Sequence, residues 1–383
     1  MSDTPVRDAH LCFIAVNIYP LLVKDSGLSF VGGAEVQQRV QLRALRRAGY
    51  RISVITKDQG QPAVVACDGD CEGITLYKIP SDAGRGLRGT RFFYPRMSDL
   101  VRLLWRIAPD IVFMQTASEQ VPAAALYARL AGRRFVFAGA SDPDFALGPL
   151  PGMPAQHAFM YRLGLRRAHA VIVQNIAQQR MLKAHFGKVG HLIQNGYDEA
   201  EAQPARYTGH VLWAATVKPL KRPERFIELA RQLPQRHFVM VGGPGVTDDA
   251  QAYFDQIAQL AAMVPNVQMV GHVPFAEVGR WFDGAAVCVN TSDYEGFPNT
   301  FSQAWLRGIP TLSFVRPESA PGLTGTLACA DLADMVEQLR TVTGDVLAWA
   351  QASAACQRHF EAHHTTAQAV ARYRAVFDEM LSP

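Results

Sequence analysis

The segment Ser292–Phe314, SDYEGFPNTFSQAWLRGIPTLSF, places an acid, a glycine, a proline and an asparagine within the five residues Glu295–Asn299. It follows the apolar run AVCVNTS (286–292) and leads into FSQAWLRG, which has a helix composition closed by Gly308. Glu295–Thr300 therefore reads as a loop at a helix entrance. Unpaired amides and the positive end of the helix dipole favour an anion there, typically a phosphate. Gly296 lets a ligand approach the backbone, and Pro298 stiffens the turn without needing a donor. Glu295 cannot bind phosphate, but it accepts hydrogen bonds from hydroxyls on whatever the phosphate carries. A phosphorylated polyol such as a nucleotide sugar satisfies both demands. An ordinary N-terminal cap beside a solvated acid fits the same residues.

Three further strand ends carry residues of interest. In VGGAEVQQRVQLRALRRAGY, Gly32 and Gly33 precede a helix expected from about Ala34 to Ala48 with Gly49 as its stop, again a glycine turn at a helix start. Lys218, Lys221 and Arg222 closely follow the run HVLWAAT, where cations suit a diphosphate leaving group. In FVFAGASDPDF, Asp142 and Asp144 have the DxD form of a divalent-metal site, although Asp-Pro is also ordinary turn chemistry. The glycines of MVGGPGVTDD do not complete GxGxxG, because Asp248 stands at the last glycine position, which argues against a dinucleotide-dependent dehydrogenase.

The elements that must position these residues are short apolar, β-branched runs alternating with amphipathic stretches, the signature of parallel sheets wrapped by helices. The first half offers strands at 10–16, 51–57, 74–80, 110–116, 134–140 and 170–175; the second at 210–216, 237–243, 266–272, 286–292 and 311–314. Two Rossmann-like domains follow, α/β in class. The first is expected over 1–198 and the second over 199–364, after the turn at Asn195-Gly196, with a terminal helix over 365–383. A length of 383 residues suits two cores, and 49% hydrophobic with 19% charged residues argues against disorder. The net charge of +4 is too small to imply nucleic acid. The six cysteines lack CxxC spacing and read as reduced, and the N-terminus has no signal-peptide apolar region, so a cytoplasmic protein is expected.

The ordered set VGGAE, KPLKRPERF, VGG, VGHVPFAEV and SDYEGFPNTFSQAWLRGIPTLSF resembles the retaining GT-B glycosyltransferases of family four, most densely from Val211 to Phe314. The resemblance implies two Rossmann-like domains facing each other across a cleft. It implies that Glu295 holds hydroxyls of the donor sugar, that the amides of Gly296, Phe297, Asn299 and Thr300 meet the diphosphate, and that Lys221 neutralises it with help from Lys218 or Arg222. Gly32, Gly33 and Gly243 would approach the donor, and His272 and Val273 would border the base. Gln303 stands where the family has an acid for the ribose, Thr216 where an arginine is usual, and Asp142, a catalytic candidate here, where many members have a histidine. The implied reaction retains anomeric configuration and needs no metal or other cofactor beyond a UDP- or GDP-linked donor. The leaving phosphate takes the acceptor's proton.

The acceptor is expected on the first domain. There GRGLRGTRFFYPRMSDLVRLLWRI (84–107) interleaves Arg85, Arg88, Arg91, Arg96, Arg102 and Arg106 with Phe92, Phe93, Tyr94 and Trp105. Such a stretch suits a lipid-linked acceptor glycan and a peripheral contact with the inner face of a membrane; an ordinary helix pair with arginines outward fits it too. Bacterial polysaccharide or glycolipid assembly is the expected setting. A nucleotide-sugar epimerase or phosphorylase on the same architecture, and a nucleotide-sugar-binding subunit without activity, are the rivals.

Overall fold

A computed structural model of the chain describes residues 9–23, 33–67, 69–80, 92–150, 152–199, 202–245, 247, 249–315 and 326–382. The chain divides into two compact units, Met1–Gly196 with Thr366–Pro383, and Tyr197–Thr365.

The first unit is built on β1 (His10–Ile14), β2 (Arg51–Thr56), β3 (Val64–Ala66), β4 (Ile74–Lys78), β5 (Ile111–Gln115), β6 (Arg134–Ala138), β7 (Ala170–Val173) and β8 (His191–Leu192), in the order β3-β4-β2-β1-β5-β6-β7-β8. All its pairs are parallel except β3 with β4. Both faces are covered, so the strands are apolar throughout and alternate residues enter different cores. Leu11, Phe13, Ile111 and Phe113 pack on one side. Cys12, Ile14, Val112 and Met114 pack on the other. The helix Gly33–Arg47 buries Val36, Val40 and Leu45 at helical spacing and is followed by Gly49 at φ 95°. The terminal helix Thr366–Leu381 returns to this unit: Tyr373 and Phe377 pack against Phe113, and Gln41 donates to the Tyr373 hydroxyl at 2.7 Å.

The second unit has β9 (Val211–Ala214), β10 (Phe238–Val241), β11 (Val267–Gly271), β12 (Val287–Asn290), β13 (Thr311–Ser313) and β14 (Thr326–Ala328), all parallel, in the order β11-β10-β9-β12-β13-β14. Val211, Trp213, Val287 and Val289 face one core, while Leu212 and Cys288 face the other. The order reverses between β9 and β12, so the loops leaving these two strands are neighbours at the place where open α/β sheets take ligands. The helix Asn299–Leu306 follows β12. Its far end is fixed by Arg307, whose fully buried guanidinium meets Asp283 at 2.7 Å and Glu199 at 2.9 Å. Two carboxylates and two carbonyl acceptors offset the cost of burying that cation.

All six cysteines are buried, and none forms a disulfide. No described helix is long and apolar enough to cross a membrane.

Candidate functional site

Lys221 closes the short turn Pro219–Lys221 after β9, and Glu295 lies on the loop after β12. The Asp293 amide donates to the Leu220 carbonyl at 3.1 Å and draws the two loops together. Lys221 then donates directly to Oε1 of Glu295. The same oxygen accepts from Ser292 Oγ at 2.7 Å and from Asn290 Nδ2 at 3.2 Å. Asn290 in turn accepts the Ser292 amide at 2.9 Å, an Asx turn that folds the strand end under the carboxylate. Among the described residues nothing donates to Oε2 of Glu295. The side chains are 18% and 13% exposed, so the pair is half-desolvated while one oxygen remains an open acceptor. Burial pushes the Glu295 carboxyl up, but the Lys221 ammonium and the three hydrogen bonds outweigh it and hold the group below its ordinary value. It is a carboxylate at neutral pH.

The backbone carrying Lys221 is itself anchored. Thr291, buried at the end of β12, donates its hydroxyl to the Lys221 carbonyl at 2.7 Å and accepts from Trp213 Nε1 at 2.9 Å. Arg222 adopts a left-handed conformation and points at Asp293, 2.7 Å away, and at Glu224, 3.4 Å away. Arg225 also reaches Asp293, at 2.9 Å. The help expected from Arg222 toward a diphosphate is therefore already committed to carboxylates. Lys218 is exposed, and Thr216 is half-buried in the same turn.

Gly242 and Gly243 follow β10. Gly242 has φ +153°, and a Cβ there would lie 1.8 Å from the Ala215 carbonyl oxygen, so only glycine permits the loops after β9 and β10 to meet. A Cβ on Gly243 would lie 2.8 Å from the Cβ of His272, which is exposed just after β11. Val273 packs partly into the core.

Of the loop after Glu295, Gly296 is buried, and the Phe297 ring is stacked on His364 at 4.9 Å within a core cluster with Trp305. The side chain of Phe297 is thus structural. Asn299 and Thr300, both half-buried, open a helix whose N-cap is Pro298, with no side-chain cap. Gln303 is 5% exposed, and its amide has no partner among the described residues.

In the first unit, Gly32 lies outside the described residues and Gly33 is the first residue of its helix. Asp142 and Asp144 sit in a single 3-10 turn after β6 and do different things. Asp144 is buried and accepts the amides of Ala140 at 2.7 Å, Ser141 at 3.1 Å and Ala117 at 3.4 Å; burial raises its carboxyl in spite of them. Asp142 accepts from Asn175 and Gln178, both at 3.2 Å. The DPD sequence is a turn in which the second carboxylate is already taken by backbone, not a pair opened toward an ion. Among the described residues no group of three acidic, cysteine or histidine side chains is placed to hold a metal. Of the basic stretch, Arg85, Arg88 and Arg91 lie outside the described residues. Arg96 pairs with Glu119 at 3.3 Å and Arg102 with Asp99 at 3.2 Å.

Asn290, Ser292 and Thr291 were not singled out by sequence reasoning. The spacing Ser292-x-x-Glu295 was the available signal, since it resembles a capping box and places a hydroxyl within reach of the acid three residues on.

Comparison with known proteins covers nearly the whole chain. The family description Glycosyltransferase Family 4 matches residues 31–201, and Glycosyl transferases group 1 matches residues 208–345. No curated protein sequence matches the chain. Among solved structures it is similar to a sucrose-phosphate synthase of Thermosynechococcus elongatus (TM-score 0.77, 15% identity, 97% of this chain and 99% of that one). It is also similar to HepE of Anabaena in complex with UDP (TM-score 0.72, 14% identity, 97% and 100%). A third similar structure is the catalytic domain of starch synthase IV from Arabidopsis thaliana bound to ADP and acarbose (TM-score 0.70, 14% identity, 98% and 99%). Two parallel-sheet units, each matched by its own half of the family pattern, make the chain a member of the GT-B glycosyltransferases of family 4, group 1.

Proposed function

We propose that this glycosyltransferase moves a hexose from a UDP- or GDP-linked donor to an acceptor hydroxyl with retention of configuration, at the cytoplasmic face of a membrane in bacterial polysaccharide or glycolipid assembly. The observation that carries the reading is the Lys221–Glu295 pair at the β9/β12 switch point, with Oε2 of Glu295 left to accept sugar hydroxyls. Structures similar in fold hold UDP, UDP and glucose, or UDP-glucose, and one holds ADP. These ligands favour a nucleoside diphosphate as the leaving group.

In this reading the bond between the anomeric carbon and the β-phosphate oxygen breaks, and a bond to the acceptor oxygen forms on the same face. The acceptor's proton passes to the departing phosphate oxygen, so no protein base is required. Lys218 and Lys221 and the amides of Gly296, Phe297, Asn299 and Thr300 stabilise the charge that develops on the diphosphate. Lys221 leaves its contact with Glu295 in part to do so. Gly243, His272 and Val273 border the base, and the unpartnered amide of Gln303 takes the ribose, accepting from one hydroxyl and donating to the other. Asp142, in the first unit, is assigned a catalytic role in this reading. The reaction needs no metal in this reading, because cations and amides supply the electrophilic stabilisation.

The experiment is a thermal-shift screen against UDP, GDP and ADP followed by transfer assays with the matching sugar nucleotides. A ligand that binds only the folded state at about 100 times its Kd stabilises it by roughly 2.7 kcal/mol. One diphosphate should raise the melting temperature and its sugar conjugate should be turned over with retention. An inverted product, or a metal-dependent rate, would count against the mechanism.

A further inference from the structure

We propose that His364 is a positioning residue for the loop Glu295–Thr300: its ring fixes Phe297, and its main chain ties that loop to the segment that opens the second unit. The proposal rests on the transferase reading, which assigns the loop amides to the donor diphosphate, and adds a residue to it. Phe297 turns its ring into the core, where it is buried. The ring is stacked on the His364 imidazole, with centroids 4.9 Å apart and planes at 20°, and stands edge-on to Trp305 at 5.9 Å. A phenylalanine ring has few torsions between it and its Cα, so a ring held from two sides holds its backbone. Gly296 brings no side chain to this packing, and Pro298 caps the following helix without a side-chain hydrogen bond. The Phe297 ring is therefore the anchor of this part of the loop.

His364 is held through its backbone and its ring. Its amide donates to the Phe360 carbonyl at 2.8 Å, at the end of helix Val346–His363, and its carbonyl accepts the Tyr197 amide at 2.9 Å. Its Nε2 lies 3.1 Å from Nε2 of His359, so one imidazole donates to the other. Both rings pack on Trp305, at 5.2 and 5.1 Å, and Trp305 is fixed by its Nε1 bond to Thr311 at 3.1 Å. Burying a polar ring costs more than burying an apolar one of the same size, so packing alone does not account for a histidine pair here. What the pair adds is direction: the hydrogen bond between the two rings sets the plane on which Phe297 lies. The segment opening the second unit reaches the donor side by another route as well. The Tyr197 hydroxyl donates to Glu199 at 3.0 Å, Glu199 pairs with Arg307 at 2.9 Å, and Arg307 donates to the Gln303 carbonyl at 3.1 Å. The diphosphate loop and the residue proposed for the ribose are thus tied to one stretch of chain.

The test is calorimetry of the full-length protein with UDP, GDP and ADP, read beside melting temperatures. His364→Ala removes the stacked ring and should weaken the diphosphate that the native chain prefers by about five- to tenfold. His364→Gln, which keeps a partner for His359 and lacks the ring, should bind as weakly as His364→Ala. His359→Leu combined with His364→Phe restores a stacked ring and leaves neither imidazole buried without its partner; it should bind within about twofold of the native chain. Cys356→Ala truncates the same core cluster one turn earlier on the helix, and should lower the melting temperature while leaving the affinity unchanged. Native affinity in His364→Ala and His364→Gln, or a loss in Cys356→Ala as large as theirs, would overturn the proposal. So would a folded double variant that binds no better than His364→Ala. Native binding with unchanged affinity in the His364 variants removes this assignment alone; binding of no diphosphate by the native chain removes the transferase reading with it.

Discussion

Glu295 is reached by three donors through a single oxygen, and this asymmetry is what the proposed recognition of a sugar hydroxyl rests on. Ser292, Asn290 and Lys221 all donate to Oε1, so that Oε2 takes no part in the cluster, and the Lys221 charge favours the ionised acid. Replacing Ser292 by alanine removes the 2.7 Å bond and lets the carboxylate swing. We expect kcat/KM for the sugar nucleotide to fall by about tenfold, the usual worth of one hydrogen bond to a charged group. The Kd of the bare nucleoside diphosphate should barely change, because Glu295 is assigned to the sugar; calorimetry with and without the hexose separates the two. At this scale the sequence made Glu295 and Lys221 legible, since each closely follows a strand. It did not reveal their contact or its supports, because these depend on how two loops 74 residues apart fold onto one another. Arg222 shows the reverse: its position suggested a free cation, and its left-handed backbone turns it onto Asp293 instead.

Among elements, the eleven apolar runs of four or more residues read from the sequence all contain strands. β3, β8 and β14 escaped notice because they have only three, two and three residues, too short to show alternation, and exist through the ladder their neighbours offer. The helix Val346–His363 adds something no periodicity contains. His359 on this helix and His364 just beyond it are both buried, with their Nε2 atoms 3.1 Å apart, against Trp305 of the helix that follows the Glu295 loop. Burial, and then the neighbouring His363, lower the His359 ring from 6.5 to about 4. The unfolded chain takes up this proton below 6.5 and the folded chain does not, so the contribution is complete above 6.5 and is lost as the pH falls toward about 4. His359→Gln keeps polar character and volume without the titration. Its melting temperature should therefore drop less than that of the native protein between neutral pH and about pH 4.5, as a fluorimetric melting series would read.

At the scale of the molecule, the chain leaves its first unit at Gly196 and re-enters it at Thr366. The two crossing strands run side by side through the Tyr197 amide, which donates to the His364 carbonyl at 2.9 Å, and a bridge between Tyr197 and Thr365. Each sheet has its own reversal of strand order, and that of the second carries Glu295 with Lys221. The alternation of apolar runs and amphipathic stretches was enough to expect two such sheets. The stacking of His364 on Phe297 was not foreseeable, because it joins the end of the second unit to a loop far upstream through packing alone. The account stands most directly on the affinity of the intact protein for UDP, GDP or ADP and for the corresponding sugar nucleotides, measured by calorimetry for the native chain and for Lys221→Ala with Glu295→Ala combined. The native chain should bind one base selectively, and the double variant should bind its sugar nucleotide at least about a hundredfold more weakly, the worth of losing a diphosphate cation and a hydroxyl acceptor together. Equal affinity in the two proteins would contradict the account.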